Sequence, residues 1–513
     1  MKNIGRRHLR RCVAVAVAVL AAGTAGVADA DTGEDELGRF YQQRLHWKNC
    51  TLGPDDEVGR QLDAAGARCA DVTVPLDYAR PEGRTIKIAI SRLRASDPRH
   101  RIGTMILNGG GPGPAIDMPP YMRDLMKEAG PRFDLVGMDP RSIGRSAPVD
   151  CGWPASTWIR SSGLDRRSFD RGVAFARDLA RRCARAHPDT LPHISTRNIA
   201  RDMDVVRGAL GERKVSYNGG SYGTYLGAVY AAMFPGRLDR VLLDSAVDPE
   251  RWSPRLIHGT EPANEAALRD WAGWAARRDD TYHLGATQDE VLGTVRRIIE
   301  SAAERPLPIV GLPGVDDTIV PVTLFDLIDR DRDEGRAEFT DAVVQLKKAA
   351  GGTPVEATGA LKDDLVFQLR GDESRYGSAQ SAIICGDAAA PRDPQVYWRD
   401  VRKDLKRHPV FGGLGANTNP CAFWAWAPRE PLTEAAVELP ALLVGATGDT
   451  RTIYRDTVSL HEALNGSRLI TLKANVHAPY QSGYGDRCVD DKVNDYLLTG
   501  RLPGRDVVCG TGD

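Results

Sequence analysis

One short run constrains this chain more than any other. Gly219-Gly220-Ser221-Tyr222-Gly223 lies between two apolar stretches, Lys214 to Tyr217 and Tyr222 to Phe234. The first reads as a β-strand and the second as an α-helix. A strand that turns into a helix this abruptly leaves no room for side chains two positions before and after its apex. Glycines at 219 and 223 remove those side chains. The apex, Ser221, is then lifted above the sheet in a strained backbone conformation. The helix N-terminus beneath it favours developing negative charge. The bland alternative is a glycine-rich turn with an incidental serine, but the strand–turn–helix context speaks for a nucleophile.

Around this turn, strands and helices alternate. Ala70 to Pro75 and Thr85 to Leu93 read as a hairpin across Arg80-Pro81-Glu82-Gly83. Thr104 to Leu107, Phe133 to Met138 and Arg240 to Leu243 read as further strands. Ile199, Met203, Val206 and Leu210 trace one face of a helix that Ser195 or Thr196 caps and Gly211 ends. Such alternation implies a mainly parallel sheet with helices on both faces. The pattern stops near residue 250. From there to about 435 the chain reads as helices, with Trp271, Trp274 and Tyr282 on an early one. It resumes with a strand at Pro440 to Val444, a helix at Tyr454 to Leu464, a strand at Arg468 to Leu472 and a last helix from Val489 to Leu498. The expectation is an α/β chain of the α/β-hydrolase fold. Its core would comprise residues 31–250 and 436–513, and residues 251–435 would form a helical cap over the site. The plainer reading of the insertion is an accessory domain.

The ends and the cysteines point outside the cell. Lys2, Arg6, Arg7, Arg10 and Arg11 precede an apolar run, Val13 to Ala22, and Ala28-Asp29-Ala30 offers a cleavage pattern. Residues 1–30 therefore read as a signal peptide, with the mature chain starting near Asp31 and secreted. A retained anchor is the rival, but the run is short for a bilayer. Eight cysteines follow the leader: Cys50, Cys69, Cys151, Cys183, Cys385, Cys421, Cys488 and Cys509. An even number in an exported chain suggests disulfides. Many connectivities are possible; the spacing favours the four sequential couples 50–69, 151–183, 385–421 and 488–509. No Cys or His cluster has metal-site spacing, so neither a metal nor another cofactor is expected. With 68 Lys+Arg against 69 Asp+Glu, there is no basic surplus for a nucleic acid or an acidic membrane.

A nucleophilic serine needs a base, and the base needs a carboxylate to hold its tautomer. In the α/β-hydrolase arrangement these follow in the order Ser, acid, His. His258, His283, His408, His461 and His477 follow Ser221. The first three fall in the insertion and His461 falls within a helix. His477, in the loop after the last strand, is left as the base. Asp449 is the first carboxylate after the strand Pro440 to Val444 and is the expected acid; Asp244 and the weaker Asp248 are rivals. The oxyanion needs two backbone N–H groups. Tyr222 should supply one. Asn108-Gly109-Gly110-Gly111-Pro112-Gly113 should supply the other, from Gly111 or nearly as well Gly110. That loop lacks G-x-G-x-x-G and a Lys-Ser/Thr pair, which argues against nucleotide binding.

These residues resemble a known family, the secreted bacterial tripeptidyl aminopeptidases, within the prolyl aminopeptidase-type α/β hydrolases. The likeness lies in Phe133-Asp134-Leu135-Val136-Gly137-Met138-Asp139-Pro140-Arg141, in the elbow followed by Thr224, Tyr225 and Leu226, and in Leu243-Asp244 with Val247-Asp248-Pro249. It continues in Cys421-Ala422-Phe423-Trp424 and in the tail around Asp449, His477 and Cys488. The resemblance implies a serine peptidase acting on peptides with a free N-terminus, with carboxylates for the substrate ammonium; Glu261, Glu265 and Glu373 are available. A secreted esterase or lipase, and a non-catalytic envelope binding protein, are the alternative functions. Three departures stand out. Pro114-Ala115-Ile116 follows Gly113, Ser142 replaces the glycine of a Pro-Arg-Gly run, and His477 is flanked by Val476 and Ala478 rather than glycine.

Overall fold

The computed structural model describes residues 32–510; the leader and its cleavage site lie outside the described residues. The strands, in chain order, are β1 (Arg68–Pro75), β2 (Thr85–Leu93), β3 (Gly103–Asn108), β4 (Phe133–Met138), β5 (Val215–Gly220), β6 (Leu238–Asp244), β7 (Val437–Glu438), β8 (Leu442–Ala446), β9 (Leu464–Asn465), β10 (Arg468–Leu472) and β11 (Val507–Cys509). Nine of them form one sheet in the order β1-β2-β4-β3-β5-β6-β8-β10-β11, while β7 and β9 pair separately. β2 runs antiparallel to β1 and β4, and the other neighbours are parallel. The architecture is thus the expected α/β one.

The period of the strands explains why helices cover both faces. Ile106, Val136, Val241, Leu243 and Leu443 pack into one core. Their chain neighbours Met105, Leu107, Leu135, Leu242, Leu442 and Val444 pack into another, on the opposite face. Alternate side chains point to opposite faces, so a strand apolar at every position must be buried twice. The helix Tyr222–Met233 is apolar all round and buried over nearly its whole length. Helix Thr196–Ala209 is capped by Ser195, whose side chain accepts from the Asn198 N–H.

A third core belongs to residues 257–414, built by helices that include Glu261–Ala276, Gln288–Glu304, Val320–Leu327, Asp333–Ala350 and Gly359–Leu369. Trp271 and Trp274 share the first of these, but Tyr282 sits on a separate short helix, Asp279–Tyr282. The helical layer also recruits an earlier segment. Ser156, Ser161 and Ser162 donate backbone N–H bonds to the carbonyls of Phe367, Thr318 and Gly413. Several elements escape the sequence reading, among them β7, β9, β11 and the helices Glu57–Ala64, Met118–Leu125 and Arg166–Ala186. Helix Arg166–Ala186 buries Phe169, Val173, Ala176, Ala180 and Cys183 at helical spacing, so its signal is present in the sequence.

All four disulfides join the sequential couples: Cys50–Cys69, Cys151–Cys183, Cys385–Cys421 and Cys488–Cys509.

Candidate active site

β5 ends at Gly220 and the next helix starts at Tyr222, so Ser221 alone makes the turn. Its backbone has φ 51° and ψ −123°. A non-glycine residue there stores strain of order 1–3 kcal/mol, and neighbours hold it in place. The Ser221 N–H donates to the Asp244 carbonyl at 2.9 Å. Its carbonyl accepts from Thr224 Oγ1 at 2.7 Å. A Cβ on Gly223 would stand 2.7 Å from Asn108 Oδ1 and 2.8 Å from Asn108 O, which is why glycine is required there.

The glycine loop after β3 passes directly over this turn. A Cβ on Gly110 would lie 2.7 Å from Ser221 Cβ and 3.2 Å from Tyr222 N. Gly110 and Gly111 take φ +98° and +102°, open to glycine and strained for other residues. Gly110 donates its N–H to Asn108 Oδ1 at 3.0 Å. Neither the Gly111 N–H nor that of Tyr222, at the first helical position, has a protein acceptor among the described residues. The Gly111 carbonyl accepts from Gln380 Nε2 at 2.9 Å, and Trp158 Nε1 donates to Gln380 Oε1 at 2.8 Å.

Asp449 follows β8 and His477 follows β10, so both leave the same edge of the parallel sheet as Ser221. His477 Nδ1 lies 3.0 and 2.9 Å from the two Asp449 carboxylate oxygens. Asp449 is sealed, with its side chain 1% exposed, while that of His477 is 19% exposed. The Arg451 and Thr452 N–H groups donate to Asp449 Oδ1 at 2.8 and 3.1 Å. Burial alone would raise the Asp449 carboxyl. The His477 charge and hydrogen bond outweigh it and hold the carboxyl below its ordinary value. His477 is the mirror case: burial pushes the imidazole down, but the Asp449 carboxylate carries it above its usual value.

The rival acids do other work. Asp244 Oδ2 accepts the N–H groups of Tyr480 at 3.0 Å and Gln481 at 2.7 Å, so it anchors the chain just past His477. Burial pushes its carboxyl up to about 7. Asp248 accepts the Glu250 N–H within a turn. Of the glutamates, Glu265 accepts the Val410 and Phe411 N–H groups and Glu261 that of Gly259, while Glu373 is exposed. His461 bonds Ser467 Oγ and pairs with Asp506.

Several positioning groups carry no mark in the sequence. Ser245 Oγ accepts the Ala478 N–H at 2.8 Å. Gln481 Nε2 donates to Asn218 Oδ1 at 2.6 Å, tying the histidine loop to β5. The Tyr222 hydroxyl meets Thr196 Oγ1, which bonds the buried Asp387, as does Trp252 Nε1.

Residues 103–289 match the family described as alpha/beta hydrolase fold, and residues 408–509 the family described as TAP-like protein. The chain is 34% identical over 490 residues to a tripeptidyl aminopeptidase of Streptomyces lividans, covering 92% of this chain and 87% of that protein. It is 29% identical to the serine protease Hip1 of Mycobacterium tuberculosis, over 99% of this chain and 98% of that one. A carboxylesterase B of the same species is 30% identical, over 90% of this chain and 89% of its own length. The chain therefore belongs to the tripeptidyl aminopeptidase family of α/β-hydrolase-fold serine hydrolases.

Proposed function

We propose that this protein is a secreted peptidase that releases short peptides from free N-termini through an acyl-enzyme on Ser221. The observation that carries the reading is the hydrogen-bonded Asp449–His477 pair, on the sheet edge where the strained Ser221 turn also emerges. His477 takes the Ser221 proton as Oγ attacks the scissile carbonyl, and Asp449 holds the imidazole tautomer and stabilises the imidazolium. The Tyr222 and Gly111 N–H groups receive the oxyanion. His477 then protonates the leaving amine, and water reverses the sequence.

Residues 251–435 would act as the cap that limits how much chain enters. Four disulfides and the leader-like N-terminus support export; among the described residues no helix is long and apolar enough to cross a membrane.

A second reading, carboxylesterase, is favoured by the name of one relative. Purified protein should be offered tripeptidyl arylamides with free and with acetylated N-termini, beside simple aryl esters. The peptidase reading expects turnover of the free arylamide and its loss on acetylation. Turnover of esters alone would support the esterase instead.

A further inference from the structure

Near the two ends of the third core, three donors converge that have no role in the chemistry above. His258 lies in the turn before helix Glu261–Ala276, Glu261 is the first residue of that helix, and Asp404 is the last residue of helix Pro394–Asp404. One donor atom from each lies within 4.8 Å of the other two. His258 Nε2 stands 3.1 Å from Asp404 Oδ2. Two ligands on one tetrahedral zinc ion stand about 3.3 Å apart, so this pair already has the separation of metal ligands. The spacing along the chain conceals the group, because Asp404 lies 146 residues from His258.

Glu261 supplies the second observation. The residue is only 4% exposed. Its Oε2 accepts the Gly259 N–H at 2.7 Å. Its Oε1 is enclosed and accepts no hydrogen bond among the described residues. The residue's own N–H leans toward the carboxyl without making that bond. A Cβ on Gly415 would collide with Oε1, so the chain keeps room for this oxygen. A buried acceptor without a donor is costly unless something fills it. Burial, with Asp404 adding to it, raises the Glu261 carboxyl. A cation beside it would let it ionise.

We propose that His258, Glu261 and Asp404 bind one zinc ion that staples together the two ends of the helical layer. The proposal is independent of which bond Ser221 cleaves. Two carboxylates and a neutral imidazole carry the charge that matches a dication. The imidazole selects zinc over calcium or magnesium, which take oxygen ligands. The His258 side chain is 35% exposed, which leaves the ion a path from solvent and a fourth position for water. Two arginines flank the turn, and each is matched by a carboxylate outside the group. Arg251 pairs with Asp456 and donates to the His258 carbonyl at 2.8 Å, fixing the turn. Arg255 Nη2 bonds Asp400 at 2.6 Å and makes only a long contact, 3.4 Å, with His258 Nδ1. Zinc takes the Nε2 lone pair, so the imidazole proton sits on Nδ1. The other grouping of possible ligands, Asp486 with Cys488 and Cys509, is spent, because its cysteines form a disulfide and offer no thiolate. A tie between residues this far apart in the chain removes much freedom from the unfolded state.

The test uses the untagged full chain, stripped with EDTA, dialysed and titrated with zinc chloride. Calorimetry and elemental analysis should find one zinc per chain, and calcium chloride should not displace it. At about 100-fold excess over Kd, zinc should raise Tm by a few degrees. Glu261→Gln is shaped like the protonated acid and keeps the Gly259 acceptor. In EDTA it should melt at or above the wild-type temperature, yet bind zinc more than about 100-fold more weakly, since even an outer partner of a metal site is worth roughly 10–100-fold. His258→Gln should lose zinc to the same degree. A measurement on wild type needs no substitution: zinc should shield His258 from diethyl pyrocarbonate, read by peptide mass mapping. Wild type that takes up no stoichiometric zinc, variants that bind it as tightly as wild type, or His258 modified equally with and without zinc would each overturn the site.

Discussion

Four residues other than glycine near the site hold left-handed backbone: Ser142 (φ 73°), Ser221 (φ 51°), Ser245 (φ 56°) and Ala478 (φ 52°). Two of them, Ser142 and Ala478, fall where the sequence reading set the chain apart from the glycine-containing runs it resembles. Left-handed backbone costs an L-residue about 1–2 kcal/mol, and Ser142 Oγ is also buried without a partner. Ser142→Gly should therefore raise unfolding free energy by about 1 kcal/mol in urea titration; a lower midpoint would count against strain at this position. Asp449 and Asp244 make a sharper contrast. Asp449→Asn should cut kcat about 10⁴-fold, as loss of the tautomer-holding carboxylate does elsewhere. Asp244→Asn keeps an acceptor for Tyr480 and Gln481 and should cost less than about tenfold in kcat. The pH profile separates them too. The imidazole must be neutral to act, and Asp449 raises its pKa. The acid limb of kcat/KM should thus lie alkaline of an ordinary histidine, near 6.5, and move to lower pH in residual Asp449→Asn activity. The Asp449–His477 contact and the Ser221 turn were legible because each of the three residues follows a readable strand. Ser245 and Gln481 were not, since a side chain that braces a loop from another element leaves no local pattern.

At the scale of elements, the helix Ser374–Asp387 connects the insertion to the chemistry. Tyr376 and Gln380 lie one turn apart and both face the glycine loop, with Gln380 bonding the Gly111 carbonyl. On the proposed mechanism Gln380 is a positioning residue, whose amide holds the loop that carries the Gly111 N–H. Gln380→Ala should lower kcat about tenfold on a small neutral aryl ester, with KM little changed. That is part of the 10²–10³-fold worth of an oxyanion donor. A rise in KM alone, with kcat intact, would make Gln380 a binding residue instead. β10 was read from the sequence to its ends, because its apolar run is bounded by turns. β11 escaped because three residues, Val507–Cys509, are too few to show a period. The helix Arg166–Ala186 was hidden by its dense charge, although its buried face has regular spacing.

Across the whole molecule, the helical layer reaches three loops of the site. Gln380 holds the glycine loop. Asn264 Nδ2 donates to the Thr450 carbonyl beside Asp449 at 2.9 Å. Asp331 exchanges backbone and side-chain bonds with Asn475, two residues before His477. Long-range ties of this kind come from topology, which no local pattern encodes; only the interruption of the α/β alternation near residue 250 announced the insertion. The central claim is that one serine, at the β5 turn, carries the reaction. A fluorophosphonate probe followed by peptide mass mapping tests it most directly. The expected result is a single adduct on Ser221 that is absent from Ser221→Ala protein. An unlabelled wild type, or an adduct on another serine that survives the substitution, would contradict it.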